Sequence, residues 1–129
     1  MNLETLQPEI RAAIEAAQDK KALELTVLDL FGLGAFSDCF VICTAESGPQ
    51  MRAICDSVED ALERRGVRPE HREGGSASEW FLLDYGGFVL HVFSKRGRTY
   101  YDLERLWRSA KRLDVPPPGP PVQAASAEQ

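Results

Sequence analysis

The sequence predicts an α/β fold: one domain with a mixed β-sheet and flanking helices. Three observations carry this. Two blocks place apolar residues at helical spacing, at 8–17 and 51–62. Two apolar runs, 23–30 and 38–44, are the length of strands and are set between the helical blocks. Residues 79–93, EWFLLDYGGFVLHVF, then read as a hairpin around Gly86-Gly87. The predicted order is helix, strand, strand, helix, short strand, strand, strand, helix. In a mixed sheet of this kind the middle helix serves as a crossover between strands.

The first helix is set by Ile10, Ala13, Ile14 and Ala17, and Asp19-Lys20-Lys21 ends its pattern. LELTVLDL, 23–30, is rich in leucine and β-branched residues and reads as a strand. A loop at Phe31–Gly34 separates it from DCFVICT, 38–44, which is apolar enough to be buried on both faces. Ser47-Gly48-Pro49-Gln50 fits a capping box, with Ser47 as the cap and Gln50 at the third helical position. Met51, Ile54, Cys55, Val58, Ala61 and Leu62 form the stripe that follows, and Gly66 suits a left-handed terminus. A short strand is expected within 67–72. Lys95-Arg96-Gly97-Arg98 reads as a basic turn. A third helix is expected through Leu103, Leu106, Trp107, Ala110 and Leu113, with Asp102 as its cap. The folded domain is then 1–114, and the Pro-rich segment 115–129 is expected to be a disordered tail.

Composition narrows the function. No apolar run reaches the roughly 18–20 residues of a membrane span. The N-terminal MNLETLQPEIRAAIEAA resembles neither a signal nor a transit peptide, so a cytoplasmic protein is expected. The net charge of −5 argues against a large nucleic-acid surface. Cys39, Cys43 and Cys55 are odd in number, which argues against a disulfide framework. Cys39 and Cys43 would share a strand face about 13 Å apart, too far for one metal ion. No cofactor is implied, for neither a Walker lysine nor a glycine-rich phosphate fingerprint is present. Catalysis finds little support: there are two histidines, His71 and His91, and neither a Gly-x-Ser-x-Gly elbow nor an HExxH. Asp29, Asp38 and Asp84 are single acids at strand ends. They leave a metal-dependent nucleotidyl-transfer site as the enzymatic alternative.

The hairpin carries the most information. If Gly86-Gly87 is a two-residue turn, Tyr85 pairs with Phe88; a three-residue turn with a bulge would change these pairings. One face then holds Phe81, Leu83, Tyr85, Phe88, Leu90 and Val92 and reads as core. The other holds Trp80, Leu82, Asp84, Val89, His91 and Phe93, large apolar groups beside an acid and an imidazole. Such a mixed face is either covered by a helix or open to a partner.

KKALELTVLDL, FSDCFVICTAES, MRAICDSVEDAL and EWFLLDYGGFVLHVFSKRGRTYYDLERLW, in that order, resemble the ribosomal silencing factors, also called Iojap-like proteins, over about residues 9–108. The chain departs from that family at Ala45, where glycine is usual, and near Gly87, where an acid is usual. The resemblance implies a topology related to nucleotidyltransferases but without their active site. It also implies binding to the large ribosomal subunit at its protein fourteen, where the factor obstructs joining to the small subunit and lowers translation when nutrients are short. Organellar relatives act in assembly of the large subunit, and relatives also form dimers, so a homodimer is the competing use of the hairpin face. The implied contact residues are Trp80, Leu82, Asp84, Tyr85 and His91, with Glu104 as a second acid facing a basic partner. Trp80 and Tyr85 are the expected anchors. Strict alternation puts them on opposite faces, so the turn must re-aim Tyr85 if both are to touch one partner.

Overall fold

The computed structural model describes residues 1–75 and 77–118. A short 3-10 turn, Leu3–Thr5, precedes α1 (Pro8–Asp19). Then follow β1 (Leu23–Asp29), β2 (Cys39–Ala45), α2 (Gly48–Glu63), β3 (His71–Glu73), β4 (Trp80–Asp84) and β5 (Phe88–Ser94). The chain closes with α3 (Lys95–Tyr101), α4 (Leu103–Leu106) and β6 (Lys111–Asp114). The strands form one sheet in the order β3-β4-β5-β2-β1-β6. Among the described strands only β2 and β5 pair in parallel; the other ladders are antiparallel. This is the mixed sheet predicted, with α2 as its crossover. No described helix is long and apolar enough to cross a membrane.

The sheet has two unequal sides. On one, Ile10, Ala13, Ile14 and Ala17 of α1 and Met51, Ile54, Val58 and Leu62 of α2 pack on Val41, Cys43, Phe81, Leu83, Leu90 and Val92. On the other, Leu28, Leu30, Ile42 and Phe93 meet only Leu103 as a buried partner, with Phe40, Trp80 and Trp107 half-buried around them. Two full-length helices thus cover one face, and two short ones cover part of the other.

Local chemistry explains most boundaries. The Ser47 hydroxyl accepts the Gln50 amide at 3.1 Å, so α2 starts where its cap directs. The reciprocal half of the expected capping box is absent. The Gln50 side chain instead accepts from the Glu46 amide at 2.6 Å and donates to the Lys20 and Lys21 carbonyls, tying α2 to the end of α1. Gly66 takes the left-handed conformation expected of it, at φ +80°.

The expected third helix is corrected. The helix begins earlier, at the segment read as a basic turn, where the Ser94 hydroxyl caps it through the Gly97 amide at 2.9 Å. Gly97 is needed there: a Cβ would lie 2.5 Å from the Glu79 carbonyl oxygen. Asp102 is no side-chain cap. It is left-handed, at φ +47°, and breaks the helix in two. Lys111–Asp114 is a sixth strand, paired with Thr26–Asp29 along the outer edge of β1. Leu113 packs on the α1–α2 side whereas Trp107 and Ala110 pack on the other, so one helical stripe never joined them. Val115, where the tail was expected to begin, is buried, and its amide donates to the Leu25 carbonyl at 2.8 Å. The tail residues 119–129 lie outside the described residues.

Candidate functional site

The hairpin register matches the two-residue turn. Asp84 pairs with Val89 and Trp80 with Phe93, and the Tyr85 amide donates to the Phe88 carbonyl at 2.9 Å. The alternating faces follow directly. Trp80, Leu82 and His91 therefore share the thinly covered side of the sheet.

Aromatic rings from four elements meet there. Trp80 lies 5.0 Å from Phe93, 4.5 Å from Tyr101 and 5.7 Å from His91, between ring centroids. Phe40 meets His91 edge-on at 4.3 Å and Trp107 at 6.4 Å. Trp80, Leu82 and Tyr101 also line a groove of about 270 Å³ with Glu73, Gly74, Ser78 and Glu79. Its lining sets apolar and aromatic side chains, Trp80, Leu82 and Tyr101, beside the polar Glu73, Ser78 and Glu79, a mixture that suits a protein-docking surface.

His91 sets the chemistry beneath. It is buried, and its Nδ1 accepts the Trp80 indole N–H at 3.0 Å, which requires a neutral ring protonated at Nε2. Burial lowers its pKa to about 3. The unfolded chain protonates a histidine near its ordinary value of 6.5, which the native fold resists. Stability from this group is therefore complete above pH 6.5 and is lost as pH falls towards 3. Urea denaturation at pH 7 and pH 5 is expected to show a smaller acid loss in His91→Phe than in the natural chain. Equal losses in the two would show that His91 titrates freely in the fold.

The other expected contact residues are placed differently. Tyr85 lies on the α1–α2 side, stacked on Phe88 at 5.0 Å, and the turn does not re-aim it towards Trp80. Burial, with the nearby Glu59 charge, raises its phenol pKa. Its hydroxyl is buried without a hydrogen-bond partner among the described residues. Asp84 holds the hairpin turn by accepting the Gly86 amide at 2.8 Å. Glu104 pairs with Arg98 at 2.5 Å, with only 15% of its side chain exposed, so it offers no free acid to a partner. The structure brings together Trp80, Leu82 and His91, and it adds Phe40 and Trp107, which sequence reading left in a strand and a helix stripe, and Tyr101, which that reading assigned to no element.

Arg98 explains a second buried polar set. Its guanidinium donates to the Glu24 carbonyl at 2.9 Å, Thr44 Oγ1 at 3.0 Å, Thr26 Oγ1 at 3.2 Å and Glu104 Oε2. The β1–β2 register shifts between Leu23 and Thr26, and Glu24 there has φ +52°. This bulge sits where Arg98 donates to the Glu24 carbonyl.

Two of the acids considered for metal chemistry, Asp29 and Asp84, serve turns. Asp29 accepts the Phe31 amide at 3.0 Å, much as Asp84 accepts that of Gly86. Among the described residues no three His, Cys, Asp or Glu side chains gather to hold a metal ion. Cys39, Cys43 and Cys55 are free and buried, and burial pushes each thiol up to about 12.

Comparison with known proteins places this arrangement. Residues 3–129 match the family model described as "Ribosomal silencing factor during starvation". A ribosomal silencing factor of Bacillus subtilis is 36% identical over 106 residues, 82% of this chain and 90% of that protein. The chloroplastic Iojap protein of Arabidopsis thaliana is 32% identical over 102 residues, 79% of this chain and 42% of that longer protein. A crystal structure from Chromobacterium violaceum superposes with a TM-score of 0.75 at 32% identity, covering 93% of this chain and 98% of that one. One from Bacillus halodurans gives 0.71 at 33%, covering 82% and 96%.

Proposed function

The chain belongs to the family of ribosomal silencing factors, and we propose that it binds the large ribosomal subunit at protein fourteen and so blocks joining to the small subunit. The observation that carries this reading is the unequal cover of the sheet. One face is sealed by α1 and α2, while the other leaves Trp80, Leu82 and Tyr101 around an open groove. Half-exposed aromatic and leucine side chains beside polar neighbours suit a protein partner. No bond is made or broken in this mechanism. The factor acts in the cytoplasm by occupying a patch that the small subunit would otherwise meet, which lowers translation when nutrients are short.

Sedimentation tests it. Mixed with separated subunits, saturating protein is expected to hold the large subunit free and to travel with it, at the expense of joined ribosomes. Normal joining, with no protein in the large-subunit fraction, would overturn the proposal. Co-sedimentation without any block of joining would instead support a role in large-subunit assembly.

A further inference from the structure

The whole-chain charge hides a local reversal. Residues 95–112 carry seven Lys and Arg against two acids, a net of +5 in a chain whose total is −5. Described ion pairs neutralise Arg68 (by Glu63), Arg72 (by Asp56 and Glu59), Arg98 (by Glu104) and Arg112 (by Asp114). Arg96, Arg105 and Arg108 are exposed and make no ion pair with another described residue.

These cations surround exposed aromatic surface. Tyr100 is 79% exposed, Tyr101 42% and Leu106 69%. Tyr100, Tyr101, Arg105, Leu106 and Arg108 line a groove of about 840 Å³. Arg96 joins the same two tyrosines along a smaller one of about 220 Å³. The two tyrosine rings stand at right angles with centroids 5.0 Å apart, and Tyr100 stays largely open to solvent. Two acids border the surface. Glu79 is hydrogen-bonded to the Ser94 hydroxyl, and Asp102 sits at the break between α3 and α4.

We propose that this α3–α4 surface binds single-stranded RNA without sequence preference. In the setting of the ribosomal reading above, on which this step rests for its natural partner, the RNA is ribosomal RNA beside the docking patch. Unpaired guanidinium groups meet phosphates, and an exposed tyrosine face stacks on a base; together these make the usual platform for unpaired strands. The sign of the charge decides against a basic ribosomal protein at this patch, because like charges would meet there. Protein and RNA contacts then fall on adjoining surfaces, linked by the Trp80–Tyr101 contact.

Fluorescence anisotropy with a labelled oligouridylate, in the absence of ribosomes, tests the surface. The natural chain is expected to bind at low salt, with affinity falling by a log–log slope of about −0.7 per phosphate contacted. The double variant R105Q/R108Q is expected to lose about tenfold or more and to flatten that slope. Tyr100→Ala is expected to lose about tenfold with little change in slope. Both variants replace exposed side chains, and circular dichroism checks that they fold. Absence of binding, or binding that ignores these changes, overturns the proposal. So does equal competition by polyglutamate, which would assign the patch to an acidic protein. Because no subunit is present, failure here leaves the subunit-joining reading intact, and failure of joining leaves the RNA result intact.

Discussion

Arg98→Met is expected to destabilise the fold by about 3–5 kcal/mol, the cost of leaving one member of a buried ion pair unpartnered. The Arg98 and Glu104 side chains are only 12% and 15% exposed, so neither charge is well solvated. The loss extends beyond the pair. Thr26 and Thr44 are buried, and Arg98 donates to both hydroxyls. It also donates to the carbonyl of Glu24 at the bulge of β1. One guanidinium thus joins β1, β2 and α4 and fastens the short helices onto the sheet. Urea denaturation measures the effect. The double change Arg98→Met/Glu104→Leu is expected to recover a large part of it, since no buried charge is then left alone. A single-variant loss below about 1 kcal/mol, the scale of a surface ion pair, would show that the cluster is solvated.

The Arg98 cluster also marks where sequence reading stops. Glu104 reads as a free acid because its partner, six positions earlier, meets it only after Asp102 turns the chain left-handed. Spacing does not announce that turn. Aspartate is a common helix cap, and the side-chain pattern alone does not separate a cap from a break. The strand at Lys111–Asp114 is equally non-local, existing because the outer edge of β1 offers unpaired backbone groups. By contrast, Ser47 fixes the start of α2 within four residues, and the turn at Gly86-Gly87 fixes the hairpin register. Such short-range determinants are legible in the chain. Alternation assigned Trp80, Leu82 and His91 to one face for the same reason, and it also placed Tyr85 opposite them. The rings that complete the open surface, Phe40, Tyr101 and Trp107, come from β2, α3 and the turn after α4, which only the sheet order brings together.

Trp80→Ala and Leu82→Glu are expected to separate stability from docking. Trp80 is half-buried against Phe93 and Tyr101, and it satisfies Nδ1 of the buried His91. Its truncation removes packing and orphans that acceptor, at a cost of about 3 kcal/mol in urea denaturation. It is also expected to weaken large-subunit binding by about 30-fold or more, the scale of an interface anchor. Its loss of binding alone is therefore ambiguous, because a weakened fold would produce one too. Leu82 resolves the ambiguity. It is half-exposed on the same groove and makes no side-chain hydrogen bond that others depend on. Glutamate there places a charge in the groove at a stability change of under about 1 kcal/mol. Pelleting with large subunits is expected to show a loss comparable to that of Trp80→Ala, with the denaturation midpoint nearly unmoved. Wild-type binding by Leu82→Glu would mean that the partner does not touch this groove, and that Trp80 acts only through the fold. Loss of binding at full stability would place the docking boundary at Leu82 itself, with Trp80 as both wall and anchor.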